Sequence, residues 1–310
     1  MINGVLNIYK PRGFTSHDVV AKLRGILKQK KIGHTGTLDP EAVGVLPVCL
    51  GNATRACELL TDKDKEYVAV VRLGITTDTQ DMTGQILQES CVEVTEQEVR
   101  MALEGFLGDY DQIPPMYSAL KVNGKKLYEL ARAGKEVERK ARSVRIHGIE
   151  VLEIDIPRLT IRVSCSKGTY IRTLCHDLGE KLGCGAAMER LERTRSGSFV
   201  KEEAITLKEL EQKVKEEKET GKEVHLEGIL IPTEELFKDY PVLKLIPKLE
   251  RLIENGNSFE EKALPSYLQK KERPDKSRYR VYGKNDIFMG IYEYKKEEGR
   301  FCPFKMFISR

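Results

Sequence analysis

The segment Gly33-His34-Thr35-Gly36-Thr37-Leu38-Asp39-Pro40 joins a carboxylate to a backbone free enough to aim it. Gly33, Gly36 and Gly44 allow tight turns and close approach to a ligand, and Pro40 fixes the chain just after Asp39. Leu38 and the run from Val43 to Val48 would surround the carboxylate with apolar side chains. An aspartate so placed is either a turn residue that caps the next segment, or a nucleophile or base held ready. Tyr67 lies in the apolar run EYVAVVRL (66–73). A ring there either packs in a core or stacks on a base, with a phenol that donates or accepts. Arg172 follows Gly168 and Tyr170 at a strand-to-helix junction. It is either a surface arginine or the partner of a buried carboxylate, which suits its fixed fork of donors.

Other chemistries lack their signatures. His34 and Asp39 have no third ligand at a meaningful spacing, so no metal is expected. The chain has no G-x-x-x-x-G-K-[ST], no G-x-G-x-x-G and no G-x-S-x-G, so no nucleotide cofactor or serine-hydrolase reading is supported. The turn at 76–84 carries Asp78 and Asp81 without the alternating oxygens of a calcium loop. Seven scattered cysteines without C-x-x-C spacing fit reduced thiols in a cytoplasmic protein. The most apolar stretch, 42–50, is far short of the ~20 residues that span a bilayer. No basic segment followed by an apolar one marks the start of the chain as a secretory signal.

The elements that must position these residues are legible in part. Val5–Tyr9 reads as a strand, and Thr15 or Ser16 then caps a helix whose Val19, Val20, Leu23, Ile26 and Leu27 share one face. Asn52 or Thr54 opens a short helix, 66–73 is a strand, and Thr95 caps a helix bearing Val99, Leu103 and Phe106. Strands separated by Pro157 fill 143–163, and 168–172 leads into a helix that stops at Gly183. Residues 201–227 read as a solvated helical region. Beyond Pro232 come short β segments, Arg278–Tyr282, Ile287–Tyr294 and Phe304–Ile308. A length of 310 residues suggests two domains, with the boundary placed near residue 229.

The net charge of +4 is uninformative as a total, but it is sorted by region. Residues 114–145 hold nine basic groups against three acidic ones, and 262–284 hold eight against two. Each segment nets +6, a local imbalance that favours contact with a polyanion over a merely solvated face.

Five motifs together resemble one family. They are GVLNIYKPRGFTSHDVV (4–20), KIGHTGTLDPEAVGVLPVCLGNATR (31–55), KEYVAVVRLGITTDTQDMTG (65–84), QIPPMYSALKVNGKKLYELARAG (112–134) and CSKGTYIRTLCHDLGEKLG (165–183). In this order they resemble the bacterial tRNA pseudouridine synthases of the TruB type, which isomerise uridine 55 in the T arm. The resemblance implies an α+β fold, a mixed and mainly antiparallel sheet flanked by helices. It implies a catalytic domain over 1–228, with the basic stretch near 114–145 as a thumb-like insertion that closes on RNA. Residues 229–310 resemble, more loosely, a small β-rich RNA-binding domain of the PUA type.

The resemblance makes Asp39 the catalytic aspartate, Arg172 its partner and Tyr67 the ring that stacks on the target base. It makes His34 the loop histidine that helps displace the base, and places Tyr170 and Leu191 along the uracil pocket. Asp81 and Lys10 match recurring motif positions with less definite roles. It implies tRNA as partner, a monomer, and neither membrane nor cofactor. Whether Asp39 attacks the sugar, attacks the base or removes the C2′ proton stays open at this point. A non-catalytic RNA-binding protein or folding chaperone on the same scaffold is the other reading, against which the joint presence of Asp39, Tyr67 and Arg172 argues.

Overall fold

The computed structural model describes all residues except 123, 220, 222, 223, 246, 270, 271, 309 and 310. Lys270 and Lys271 of the second basic stretch thus lie outside the described residues, as do Lys222 and Glu223. β1 (Gly4–Lys10) leads into α1 (Ser16–Leu27). Thr15, not Ser16, is the cap. Its hydroxyl accepts from the Asp18 N–H at 3.0 Å, and the Asp18 carboxylate accepts from the Thr15 N–H at 2.8 Å. Val19, Val20, Leu23 and Ile26 are buried, as their spacing predicts.

β2 (Ile32–His34) and β3 (Val43–Leu50) follow, then a 3₁₀ turn over Gly51–Ala56 and α2 (Cys57–Thr61). Next come β4 (Lys65–Leu73), the hairpin of β5 (Ile75–Thr77) and β6 (Ile86–Glu89), α3 (Glu96–Glu104) and β7 (Gly108–Gln112). The basic insertion holds β8 (Lys121–Val122), β9 (Lys125–Lys126) and α4 (Leu127–Arg132). It is followed by β10 (Arg142–Asp155), β11 (Arg158–Cys165), α5 (Ile171–Leu182) and β12 (Ala186–Ser196). Then come β13 (Phe199–Val200), β14 (Ile205–Thr206), α6 (Leu207–Glu219) and β15 (Leu230–Ile231). The last stretch contains β16 (Val242–Lys244), β17 (Phe259–Glu260), β18 (Arg278–Tyr282), β19 (Phe288–Lys295) and β20 (Arg300–Met306). The final strand begins earlier than the sequence suggests and ends before Phe307.

An eleven-stranded sheet runs β14-β1-β3-β12-β4-β11-β10-β7, with β2 on β3, β13 on β12 and β15 on β1. The β1–β14 and β3–β12 pairs are parallel and the other pairs are antiparallel. This is the mixed, mainly antiparallel α+β arrangement expected. Two apolar layers flank the sheet. One joins Val99 and Leu103 of α3 and Leu174 and Leu178 of α5 to β4 and β11, and the other joins α1 and α6 to β1 and β3. Leu230 and Ile231, just past the expected boundary, still pair with Leu6 and Val5 of β1.

A second sheet, β16-β18-β19-β20-β17, carries its own core around Phe259, Tyr292 and Phe301. It is docked on the first: Phe237, Ile291 and Phe307 pack on Ala56, and Arg55 donates to the Met306 carbonyl at 2.8 Å.

The centre of the large sheet is where β3 and β12 meet. Gly44 is in register with Arg193 there. A Cβ on Gly44 would stand 2.3 Å from the Arg193 carbonyl oxygen, and its φ of +108° lies where L side chains are strained. Gly44→Ala should therefore lower stability by ~1–3 kcal/mol, read from the urea midpoint at unchanged slope.

Candidate active site

Asp39 sits in the loop between β2 and β3, and the peptides on both sides of it are pinned. The Leu38 N–H donates to Ser16 Oγ at 3.0 Å. The Pro40 carbonyl accepts from Lys10 Nζ at 3.0 Å and from the Gly13 N–H at 2.9 Å. At the loop's start the Thr35 N–H donates to the Pro47 carbonyl at 3.0 Å. Lys10 is wholly buried and also donates to the carbonyls of Pro11, at 2.9 Å, and Phe14, at 2.5 Å. Burial lowers its pKa to about 8, against the pull of Asp39 and Glu41.

Arg172, the second residue of α5, is 5% exposed and reaches across to this loop. Its Nε lies 3.0 Å from Asp39 Oδ2, and its Nη2 lies 3.2 Å from Asp39 Oδ1. Two-point contact of this kind fixes the carboxylate plane as well as its position. The remaining donors are satisfied by the carbonyls of Thr79, at 3.1 Å, and Tyr117, at 2.8 Å. Asp81 Oδ2 stands 3.7 Å from Nη1. Asp81 is itself oriented: its Oδ1 accepts from Thr79 Oγ1 at 2.8 Å, the Thr83 N–H at 3.0 Å and Thr83 Oγ1 at 2.5 Å.

Loss of solvation pushes the Asp39 carboxyl above the usual aspartate range. The Arg172 charge opposes that shift, Asp81 adds to it and Lys10 opposes it. The side chain remains 38% exposed, so solvent or a ligand can reach it.

Tyr67 of β4 is buried, in register with Arg193 of β12 and Val163 of β11. It belongs to one apolar cluster with Leu38, Ala42 and Leu191. Burial raises its phenol pKa, and the neighbouring Arg193 works against that rise. Tyr170 immediately precedes α5. Its N–H donates to Gln112 Oε1 at 2.7 Å, and its carbonyl accepts from Gln112 Nε2 at 2.9 Å. Burial raises the Tyr170 phenol, while Ser118 and Arg142 ease it.

Asp39, Arg172, Asp81 and Lys10 thus converge, and Tyr67 and Leu191 share the wall beside Leu38. His34 stands apart from the carboxylate pair. Its ring meets His17 edge-on at 5.2 Å, and burial lowers its pKa, which favours the neutral imidazole. Ser16, Gln112 and Arg193 are site-building residues that sequence reading did not single out. Ser16 was read only as a cap, and Gln112 lay inside a quoted motif without a role. Among the described residues no group of three or more His, Cys, Asp or Glu is placed to hold a metal. No described helix is long and apolar enough to cross a membrane.

The two basic stretches differ. In the insertion, Lys121, Lys125, Lys135, Lys140 and Arg142 are exposed. In the C-terminal stretch Lys262, Lys276 and Lys284 are exposed, but the three arginines are engaged within the protein. Arg273 pairs with Glu261 over the Phe301 and Tyr294 rings. Arg278 lies 3.7 Å from the Phe304 ring centre and 3.3 Å from Glu293, and Arg280 donates to the Tyr240 and Lys238 carbonyls.

A paired, desolvated aspartate beside a buried tyrosine, on a mixed sheet with a second small β unit, is the arrangement of a pseudouridine synthase fold. The chain superposes with TM-score 0.74, at 28% identity over 99% of its length and 86% of the other chain, on "Structure of H/ACA RNP bound to a substrate RNA containing 2'-deoxyuridine". It matches "Crystal Structure of a Cbf5-Nop10-Gar1 Complex" with TM-score 0.74 at 30% identity, over 99% of this chain and 85% of that one. The model of the TruB family pseudouridylate synthase N-terminal domain matches residues 24–171, and that of the tRNA pseudouridylate synthase B C-terminal domain matches 172–238. A protein of Lachnoclostridium phytofermentans named tRNA pseudouridine synthase B is 50% identical over 99% of this chain and 100% of its own length. One of Clostridium novyi with the same name is 46% identical over 94% of this chain and 95% of its own length. The chain belongs to the TruB family of pseudouridylate synthases, which are isomerases, as its five motifs imply.

Lys10→Met should strip three carbonyls of their donor and cost on the order of 2 kcal/mol at neutral pH. With the folded pKa at about 8 and the ordinary lysine value at 10.5, the unfolded state binds the extra proton between those values. Wild-type stability relative to Lys10→Met therefore rises across that window, measured by urea titration at each pH.

Proposed function

We propose that this enzyme converts uridine 55 in the T arm of tRNA to pseudouridine, with Asp39 as its catalytic carboxylate. One observation carries the reading: the two-point clamp of buried Arg172 on Asp39, beside the wall of Tyr67, Leu191 and Leu38. The names of the curated relatives supply tRNA as the substrate class, and the substrate RNA in one structural neighbour's title agrees with a polynucleotide.

The reaction breaks the N1–C1′ bond, turns the uracil and rejoins it through C5. No atom is gained, so the demands on the protein are a carboxylate, a ring-sized apolar pocket and a way to extract the base. Flipping the base costs a few kcal/mol. Stacking on Tyr67 returns ~1–3 kcal/mol of that. Tyr170 and Leu191 line the pocket, and neutral His34 helps displace the base from the folded loop. Lys10 and Asp81 act on Asp39 from behind, one through the Pro40 carbonyl and the other through Arg172.

The basic insertion over 114–145 closes on the T arm. The Tyr117 carbonyl on Arg172 ties the root of that insertion to the catalytic pair. Residues 1–228 act as the catalytic domain and 229–310 as a PUA-like RNA-binding domain. The protein works as a monomer in the cytoplasm, a compartment that suits its seven free cysteines.

Asp39→Asn should abolish release of the C5 hydrogen from a T-arm stem-loop and leave binding nearly intact; undiminished turnover would remove Asp39 from the mechanism. The acid limb of kcat/KM should lie above the ordinary aspartate range, because desolvation lifts the carboxyl that must be ionised. Asp81→Asn should move that limb to lower pH, since a like charge that disfavours ionisation is gone. Deleting 121–140 should weaken stem-loop binding and flatten its dependence on salt, read as the slope of log K against log salt.

A further inference from the structure

Among the described residues Arg193 is the largest side chain that is almost fully shielded, at 1% exposure, and it lies near the sheet's centre. Its charge has no carboxylate within ion-pair distance among the described residues, unlike Arg172 and Arg273. Its charge helps to lower the pKa of Lys10, Lys65 and His34, for each of which burial is the larger cause. Burying a guanidinium without a counter-charge is expensive, and such a residue is held by what its donors do.

Those donors reach two carbonyls. Nε donates to the Val45 carbonyl of β3 at 2.7 Å, and Nη2 to the Gly36 carbonyl of the Asp39 loop at 3.5 Å. Across the strand Arg193 is in register with Tyr67 of β4, and its charge works against the rise of the phenol pKa. The approach is built in from the other side as well, because only a glycine at 44 lets the β12 backbone come so close.

We propose that Arg193 is the positioning residue of the base pocket: one guanidinium holds the Asp39 loop and the Tyr67 phenol at a common spacing. The other titratable groups facing Tyr67 are Cys165 on β11 and Asp39 in the loop, both of which favour the neutral phenol. Arg193 is the group that opposes them. This inference rests on the proposed role of the pocket, but its first test needs no RNA.

Meta-fluorotyrosine placed at 67 would report the phenol by fluorine NMR in the full-length protein. In Arg193→Met the phenol should titrate at higher pH than in the wild-type background, and Arg193→Lys should recover part of the difference. Coincident titrations in all three would overturn the proposal, as would a lower melting temperature with an unmoved resonance. In single-turnover release of the C5 hydrogen, Arg193→Met should lose about 100-fold in rate, the scale of a misplaced reacting group. Stem-loop affinity should change by no more than about threefold, well under the tenfold that 1.4 kcal/mol brings. Should Arg193→Met fail to fold, Arg193→Lys is read alone: a displaced resonance with a slower rate supports the proposal, and wild-type values for both overturn it. A moved resonance with no activity in any background, wild type included, would count against the uridine reading and leave the positioning role standing.

Discussion

A buried guanidinium must find acceptors for all its donors, and Arg172 finds them on segments that are far apart in the chain. The Asp39 loop contributes a carboxylate, the turn after β5 contributes the Thr79 carbonyl and Asp81, and the root of the basic insertion contributes the Tyr117 carbonyl. None of these segments would adopt its observed place for reasons of local propensity. Desolvating the ion pair roughly cancels its Coulomb attraction, so the pair adds little net stability. What it provides is geometry, because removing either partner leaves a buried charge exposed to its full desolvation cost. The site therefore exists only when the sheet, the hairpin and the insertion are assembled together.

Around that pair the protein uses buried cations as anchors for backbone. Lys10 meets three carbonyls and sets Pro40, and with it the residue before. Lys65 donates to the carbonyls of Thr61 and Lys63, both at 2.5 Å, and burial likewise lowers it to about 8. Arg193 meets Val45 and Gly36. A carbonyl contact carries partial charge only, so these buried cations are held by backbone dipoles rather than by a paired carboxylate.

The same sorting governs the outer charges. Two stretches with equal excess of Lys and Arg differ in how their arginines are used. Arg273, Arg278 and Arg280 lie on or beside a small sheet rich in aromatic rings, where a flat guanidinium packs on a ring or forks into carbonyls, and their charge is spent inside. The insertion has little core of its own beyond Leu127, so Lys121, Lys125, Lys135, Lys140 and Arg142 remain at the surface. Lys262, Lys276 and Lys284 stay exposed beside those arginines, while the insertion keeps most of its positive groups at the surface.

Much was legible in the sequence where the signal is local. The Thr15 cap and the stripe from Val19 to Ile26, the strand carrying Tyr67, the helix that starts beside Arg172 and the motif around Asp39 follow from neighbours within a few residues. The two central strands were not legible. Val43–Leu50 is apolar on both faces and broken by Pro47, which argues against a central strand. Ala186–Ser196 carries five charged residues in eleven and reads as a surface segment, although Arg193 within it is almost completely buried. Composition likewise counts the two basic stretches alike, because charge can be counted from sequence while the internal partners of Arg273, Arg278 and Arg280 cannot.

The sequence by itself determined which side chains are candidates for the chemistry, which family they mark and which local elements hold them. The tertiary structure decided which of them meet: that Arg172 clamps Asp39, that Lys10 serves it through a carbonyl, that His34 faces His17, and that an unremarked arginine stands behind Tyr67. The reason is physical. Propensity and periodicity act over one or two turns, whereas satisfying a buried charge is a demand on the whole fold, met by whatever donors and acceptors the packed chain brings within reach.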